Sequence, residues 1–389
     1  MTPAARVQAA IELIDEIAAA ARGGGAAADT LIARYFKTRR YAGSKDRRAV
    51  RELVYEAIRA WPEPPPSGRA AMLAAAGALF DGSPHGPVPP SAGEEPALPP
   101  GYPVPKWLSP RFDPVISPAD LRSLLTRAPV DLRFNRLRGG RDEALAAFPE
   151  AVPTPLSPLG LRLPEATQIE ATDAWAAGLV EVQDEGSQLL ALAGSAAPGE
   201  TVIDLCAGAG GKTLALAAEM ANSGRLVASD TDRARLSRMG PRLARAGATV
   251  VEPRLLDPGR ERERLSDLAG TADLVLVDAP CSGTGTWRRN PELRWRLSPE
   301  GLARYTALQA RLLDLAVELV RPGGRLVYAV CSLLAEEGRD QAEGVDRRSA
   351  MVSEDLPIEG GRPAGAGRIL TPANEGTDGF FVARWRAPC

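Results

Sequence analysis

The chain has 389 residues, of which 44% are hydrophobic and 25% charged, and its formal net charge is −2. This composition is ordinary for a globular protein of two or three domains. The small net charge excludes a chain that is basic throughout, so any nucleic-acid surface must be a local patch. No apolar run approaches the roughly 18 residues of a membrane span, and the first residues lack the apolar core of a signal peptide. We therefore expect a cytoplasmic protein that makes no membrane contact.

The first 61 residues are predicted to be helical. Apolar residues recur at helical spacing over 4–22 and 44–61, and 27–36 reads as a shorter helix. Eight basic residues make the segment locally basic: Arg34, Lys37, Arg39, Arg40, Lys45, Arg47, Arg48 and Arg51. A solvated helix face is the ordinary explanation of such a run, and RNA contact is the alternative.

Two further segments precede the main domain. Residues 62–105 are rich in Pro, Gly, Ala and Ser and are predicted to be a linker with short helical pieces around 70–80. Residues 106–170 predict a small α+β domain with helices over 120–126 and 142–148 and strands over 130–135 and 160–164. A second basic cluster lies in it, and solvation explains it as well as RNA does: Arg133, Arg136, Arg138 and Arg141.

Strands and helices alternate over residues 171–389. Apolar runs predict strands at 202–205, 225–230, within 248–257, at 273–280 and at 325–332, the last opened by a turn at Pro322-Gly323-Gly324. Helices are predicted at 212–220, 233–246 and 302–320, and a closing strand at 379–385. This alternation is typical of a doubly wound α/β domain with a mainly parallel sheet.

A glycine-rich turn follows the first of these strands, in TVIDLCAGAGGKT (201–213). It is not a Walker A loop, because Cys206 stands where that pattern needs glycine, and it meets a dinucleotide fingerprint only in part. Asp230, Asp257 and Asp278 end three successive strands, although each alone could be a helix cap or turn residue. An acid such as Asp230 is placed to accept the ribose hydroxyls of an adenosine, and Asp257 to accept its adenine amino group.

Cysteine usage points to the same edge of the sheet. The four cysteines, at positions 206, 281, 331 and 389, form no C-x-x-C pair, and His85 is the one histidine. A disulfide framework, a metal site and a histidine-based triad are therefore disfavoured. Cys281 and Cys331 follow the fourth and fifth strands and should face each other there. Most free cysteines are inert packing residues, but two at this edge suggest covalent chemistry.

The chain resembles the RNA cytosine-5 methyltransferases of the Sun type, and among these it is most similar to the bacterial RsmB-like 16S rRNA enzymes. The resemblance covers about residues 100–386 and rests on six linked motifs: VQDEGSQ, DLCAGAGGKT, ASDTD, LVDAPCSGTGTWRRNPE, RPGGRLVYAVCS and TDGFF. DRRAVRELVYEAIR is similar to the NusB-like RNA-binding helical domain of that subgroup. The implied fold is a class I methyltransferase (Rossmann-like) sheet with an N-terminal all-α NusB-like domain and a small α+β RNA-binding domain.

The resemblance implies S-adenosylmethionine as methyl donor and RNA, foremost 16S rRNA, as partner of a monomeric enzyme. Asp230 would bind the ribose, Asp257 the adenine side, and Asp278 would lie between cofactor and cytosine. Cys331 would be the nucleophile and Cys281 the group that helps product release. The cofactor loop would consist of Cys206, Ala207, Gly208, Ala209, Gly210, Gly211 and Lys212.

These residue types suit the chemistry of cytosine. Carbon 5 is a poor nucleophile, and addition of a thiolate at carbon 6 makes it able to take a methyl group. Protonated Asp278 could hydrogen-bond ring nitrogen 3. A set of four residues downstream of Cys281 could hold the RNA backbone or stack a base, and surface packing is an equally good explanation. They are Trp287, Arg288, Arg289 and Arg294.

Two departures from the family pattern could affect rate or cofactor affinity, and the altered loop motivates a non-catalytic alternative. The loop lacks the usual proline of Ala-Ala-Pro-Gly-Gly, and Val330 replaces the threonine that usually precedes the nucleophile. The alternatives are a non-catalytic RNA-binding ribosome assembly factor, a tRNA cytosine-5 methyltransferase and a small-molecule methyltransferase, the last disfavoured by the basic N-terminal segment.

Overall fold

The computed structural model describes residues 1–164 and 167–389. The chain divides into two compact units. The first, here called the helical unit, comprises Met1–Arg111, Leu121–Thr126 and Thr286–Pro299; the second, the sheet unit, comprises Phe112–Asp120, Arg127–Gly285 and Glu300–Cys389. This division differs from the segments drawn from sequence, because 62–105 belongs with the preceding helices and no boundary falls at 170. The predicted 106–170 segment also includes residues 165 and 166, which lie outside the described residues.

The helical unit is built on four helices. They are α1 (Pro3–Gly23), α2 (Ala28–Thr38), α3 (Ser44–Ala60) and α4 (Gly68–Ala76). Their apolar faces form one core that includes Val7, Ile14, Val54 and Met72, each fully buried. The helix α4 lies within the segment predicted as linker, and a Cβ at Gly68 would come within 2.3 Å of the Ile11 carbonyl oxygen. Close contact between α4 and α1 therefore requires glycine at position 68. This is how a glycine of the Pro/Gly-rich segment allows that segment to pack into the helical unit.

Residues 286–299 pack into the helical unit although they begin only five positions after Cys281. Trp295 is part of its core and donates from Nε1 to the Trp61 carbonyl at 2.8 Å. Arg294 is 2% exposed and donates to the carbonyls of Ile58 at 2.6 Å and Pro103 at 2.7 Å. Burial lowers the pKa of Arg294 to about 10. Trp287 is also fully buried, so the packing alternative holds for Trp287 and Arg294.

The sheet unit contains a small antiparallel sheet. Its strands are β1 (Val130–Phe134), β2 (Val152–Pro153), β3 (Gly160–Leu163) and β4 (Val180–Val182), in the order β2-β3-β1-β4. The helix α5 (Pro118–Ser123) begins in the sheet unit and ends in the helical unit. Two short helices follow in the sheet unit: α6 (Arg141–Ala147) and α7 (Asp173–Ala176). Leu132, Leu161 and Val180 are fully buried in the core of this sheet.

A nine-stranded sheet forms the rest of the unit. Its strands are β5 (Thr201–Asp204), β6 (Arg225–Asp230), β7 (Val251–Leu255), β8 (Ala272–Asp278), β9 (Val320–Val330), β10 (Val352–Ser353), β11 (Arg362–Ala364), β12 (Gly367–Leu370) and β13 (Phe380–Arg386). The accompanying helices are α8 (Glu185–Leu192), α9 (Gly211–Glu219), α10 (Arg233–Ser237), α11 (Met239–Ala246), α12 (Glu261–Arg264), α13 (Pro299–Leu319) and α14 (Arg339–Arg348).

The strand order is β11-β12-β13-β9-β8-β5-β6-β7, with β10 paired to β13. The five strands β5 to β9 are parallel, whereas β13 runs antiparallel beside β9. The chain leaves β5 first towards β6 and β7 and later towards β8 and β9, so the order reverses beside β5. Open α/β sheets bind ligands at the carboxyl ends of the strands at such a point. The predicted doubly wound, mainly parallel sheet is confirmed.

Two predicted elements differ from the structure. The predicted helix over 233–246 is divided into α10 and α11. Pro241 causes the break, because its ring would clash with the carbonyl of Ser237, the last residue of α10. The predicted turn at Pro322-Gly323-Gly324 lies inside β9, whose register with β8 shifts between Ala272 and Leu274.

Candidate active site

The glycine loop joins β5 to α9 and is held in place on both sides. Gly208 donates its N–H to Asp230 Oδ2 at 2.7 Å, and Arg242 Nη1 donates to the Ala209 carbonyl at 2.7 Å. Gly208 and Gly210 have φ of 56° and 87°, a region that favours glycine. The loop is thus fixed by its flanking side chains, although the rigidifying proline of the family pattern is missing.

Space lies beside this loop. A Cβ built on Gly211, the first residue of α9, would meet no atom within 4 Å, and one on Gly208 would meet only Asp230 Oδ2 at 4.0 Å. The N-terminal N–H groups of a helix and an open glycine surface allow a ligand to approach the backbone closely.

Three acidic residues lie at or just beyond the carboxyl ends of β5, β6 and β7. Asp230 is 8% exposed and accepts from Gly208 and from Asp232 N at 2.7 Å. Asp204 is 1% exposed; its Oδ2 accepts from Thr213 Oγ1 at 2.7 Å, while its Oδ1 has no hydrogen-bond partner among the described residues. Burial raises the pKa of Asp204 to about 7. Asp257 lies two residues beyond β7 and pairs with Arg264 Nε at 3.1 Å.

An ion pair links the loop to the fourth parallel strand. Lys212 Nζ donates to Asp278 Oδ2 at 2.7 Å. Burial lowers the pKa of Lys212, but the Asp278 carboxylate outweighs it and holds that pKa above its ordinary value. Cys331 is also among the groups that raise the pKa of Lys212.

The two predicted cysteines meet at the carboxyl ends of β8 and β9. Cys281 Sγ lies 3.3 Å from Cys331 Sγ, and both residues are partly accessible. The hydrogen bond to Cys331 and burial raise the pKa of Cys281 well above its ordinary value. Burial likewise raises the pKa of Cys206, in the glycine loop, well above its ordinary value.

The donor set fits a cationic adenosine cofactor. Asp230 accepts two backbone N–H groups and keeps further lone pairs that ribose hydroxyls could use. Among the described residues, no group of three or more His, Cys, Asp or Glu could hold a metal ion.

Several residues of the site were not predicted from sequence. Glu181 accepts from Arg242 and Arg245 and thereby anchors the helix that reaches the glycine loop. Glu337 is fully buried and bonds to Ser282 and Ser332, which follow the two cysteines. Glu337 stands beside Glu336 in the sequence, and nothing in that pair signals which carboxylate turns inward.

The strand order, the glycine loop and the strand-end acids are those of a class I, S-adenosylmethionine-dependent methyltransferase. A family model described as 16S rRNA methyltransferase RsmB/F matches residues 191–386, and the chain belongs to this family. A protein of Salmonella paratyphi B named ribosomal RNA small subunit methyltransferase B is 38% identical over 266 residues, which are 66% of this chain and 59% of that protein. The chain thus spans about three fifths of the length of the curated relatives it matches.

Solved structures show the same fold. A structure titled PH0851 has a TM-score of 0.78 and 24% identity, with 99% of each chain covered. A methyltransferase homolog protein from Pyrococcus horikoshii has a TM-score of 0.65 and 26% identity, covering 74% of this chain and 96% of that one. In the described part of the chain, no helix is both long and apolar enough to cross a membrane.

Proposed function

We propose that this protein methylates carbon 5 of a cytosine in RNA through a covalent adduct between Cys331 and the base. The supporting observation is the 3.3 Å approach of Cys281 Sγ to Cys331 Sγ beside the Lys212–Asp278 pair. S-adenosylmethionine, when bound, supplies an electrophilic methyl group on a sulfonium centre.

In this proposal, Cys331 adds to carbon 6 of the cytosine and makes carbon 5 nucleophilic. The Lys212 ammonium stabilises the attacking thiolate, with which it interacts across the site. In this proposal a proton shared with Asp278 makes the hydrogen bond to ring nitrogen 3, which only accepts, while Lys212 Nζ donates to Asp278 Oδ2. Cys281, or a water that it positions, removes the proton from carbon 5, and the bond between carbon 6 and Cys331 then breaks.

Ribosomal RNA is the proposed substrate, because the matched relatives are named small-subunit rRNA methyltransferases. Transfer RNA is the alternative, and the two can be compared directly. The target base must leave its stack to reach a thiol at the sheet edge. Exposed cations of the helical unit offer phosphate contacts: Arg34, Lys37, Arg40 and Lys45.

The test combines purified protein, labelled S-adenosylmethionine and either unmodified 16S rRNA or tRNA. Cys331→Ala should abolish 5-methylcytosine formation, and Cys281→Ala should accumulate protein–RNA adduct that survives denaturing gel electrophoresis. Cys389→Ser, at an exposed cysteine, is the matched control and should retain wild-type activity. Full activity of Cys331→Ala contradicts the proposed roles, and protein that binds RNA without any turnover indicates the non-catalytic assembly factor.

A further inference from the structure

A buried carboxylate, Glu337, lies behind the two cysteines and has no part in the chemistry proposed above. It is fully buried and forms no ion pair within the described part of the chain. Its oxygens accept from Ser282 N at 2.9 Å, from Ser282 Oγ, from Ser332 Oγ at 2.6 Å and from Gln309 Nε2 at 3.1 Å. A buried charge without a counter-ion is costly, so four neutral donors must satisfy it.

Three of these four donors come from the residues that follow the two cysteines, and the fourth, Gln309 Nε2, comes from α13. Ser282 comes directly after Cys281, and Ser332 directly after Cys331. The serine hydroxyls also approach each other at 3.2 Å. The two loops are further joined by a bond from Gly285 N to the Cys331 carbonyl at 3.0 Å. One carboxylate therefore binds both strand-end loops at the residue next to each thiol.

We propose that Glu337 is a positioning residue that fixes Cys281 against Cys331 by binding the residue after each cysteine. The catalytic consequence rests on the proposed function, whereas the effect on thiol geometry does not. Neither thiol can shift far while both neighbouring serines share one acceptor, because each serine's backbone is only one peptide away from its cysteine.

The release step depends most on this positioning. The proton on carbon 5 passes to a base, its electron pair restores the ring double bond, and the bond between carbon 6 and sulfur breaks with its electrons returning to Cys331. This step needs Cys281, or its water, at a fixed distance from the adduct. Addition needs only Cys331. A loosened Cys281 loop should thus slow release more than addition.

The first experiment measures product and adduct together in the full chain. Glu337→Ala should lower the rate of 5-methylcytosine formation at least tenfold and raise the fraction of protein trapped on RNA severalfold. Glu343→Ala, at a partly exposed acid on α14, should change neither. A purely structural defect lowers product and adduct in proportion, and that outcome overturns the proposal.

A second variant, Ser332→Ala, tests the proposal even if Glu337→Ala folds poorly. Ser332→Ala removes one arm of the contact and leaves the carboxylate its other donors, so its unfolding temperature should stay within a few degrees of wild type. It should still raise the adduct fraction at least twofold. An unchanged ratio of adduct to product in Ser332→Ala contradicts the proposal.

The second experiment tests the geometry without RNA or cofactor. Diamide, a thiol oxidant, takes two hydrogens from the two thiols, is itself reduced to the hydrazine, and leaves a Cys281–Cys331 disulfide seen as a mass loss of about 2 Da. In a Cys389→Ser background, Glu337→Ala should slow this closure at least fivefold. Glu337→Gln should close at nearly the wild-type rate, because its amide can bind the same serine hydroxyls.

Comparison of Glu337→Ala with Glu337→Gln distinguishes an effect of the hydrogen bonds to the serines from an effect of the charge. The two experiments distinguish failure of this proposal from failure of the proposed function. Equal closure rates in Glu337→Ala and wild type, or equal slowing by Glu337→Gln and Glu337→Ala, overturn the positioning role. Closure that depends on Glu337 in a protein that forms no RNA adduct supports the positioning role and rejects the proposed function.

Discussion

Asp204 shows how one buried acid couples the stability of the sheet to pH. Burial raises its pKa to about 7 in the folded chain, whereas an unfolded aspartate has a pKa near ~3.9. Between these values the folded state binds more protons than the unfolded state, so this group makes stability fall as pH rises. The loss approaches ~1.4 kcal/mol per pH unit between about pH 4 and 7 and levels off above.

Asp204→Asn should remove this dependence. Its amide oxygen can still accept from Thr213 Oγ1, and it carries no charge to desolvate. We expect the unfolding free energy of the variant minus that of wild type to increase as pH rises from 5 to 7. Both are measured by urea denaturation without cofactor. Thr213→Val, which removes the hydroxyl and keeps the carboxyl, is the control that should retain a falling profile. Parallel profiles for wild type and Asp204→Asn would contradict the prediction.

A site residue was predictable from sequence when it stands at the end of a strand, because the strand order then determines where it lies in the sheet. Asp230, Asp278, Cys281 and Cys331 end strands whose order follows from the α/β alternation, and the structure brings both cysteines together. Glu337 was not predictable, because its burial depends on donors from two distant loops and one helix rather than on its own neighbours.

The glycine loop is the element on which ligand approach depends. Gly210 and Gly211 are neighbours, yet they differ in what a side chain would meet. A Cβ on Gly210 would lie 2.8 Å from Met239 Cγ at a φ of +87°, whereas one on Gly211 would meet nothing within 4 Å. Left-handed backbone costs an L-residue about 1–2 kcal/mol, whereas Gly211 has no left-handed φ and alanine carries no such cost there.

Different effects on stability are therefore expected from the two alanine variants. Gly210→Ala should lower the unfolding temperature of the cofactor-free protein by several degrees, and Gly211→Ala should leave it unchanged. Both should weaken S-adenosylmethionine binding in calorimetry, the first by distorting the loop and the second by filling the open space. Wild-type affinity in Gly211→Ala would place the cofactor elsewhere.

Other elements show where sequence periodicity ceases to be informative. The long helix α13 and the strand β6 follow the apolar pattern closely, because each buries one face or both. The pattern over 233–246 predicts one helix, yet the ring of Pro241 forces a break into α10 and α11. The hairpin β11–β12 is short and follows from pairing with β13, which no local pattern reveals.

At the scale of the molecule, chain order and compact units do not coincide. Residues 286–299 follow the Cys281 loop in sequence, yet Trp295 is buried in the helical core and Arg294 donates to three backbone segments there. The motif resembles RNA-contacting sequence because it is rich in arginine and tryptophan. Burial is decided by partners 191 to 236 positions away, so local composition could not predict it.

The RNA surface proposed for the helical unit can be tested by separating paired from unpaired cations. Arg48 pairs with Glu52 and Arg51 with Asp29, so their charges are partly compensated. Arg47 donates from Nε to the Ala42 carbonyl. Four exposed cations of the same cluster form neither an ion pair nor a side-chain hydrogen bond within the described part of the chain: Arg34, Lys37, Arg40 and Lys45. Uncompensated cations are the ones that release counter-ions from phosphates.

Changing those four to glutamine should raise the KM for RNA at least tenfold and leave kcat and cofactor affinity near wild type. The slope of log affinity against log salt should fall by up to about three, since each phosphate contact on single-stranded RNA contributes roughly 0.7. The matched control changes Arg48 and Arg51 to glutamine together with Glu52 and Asp29, so that net charge is unchanged, and it should alter the slope by less than one. Equal salt slopes in the fourfold variant and wild type would show that RNA binds through another surface.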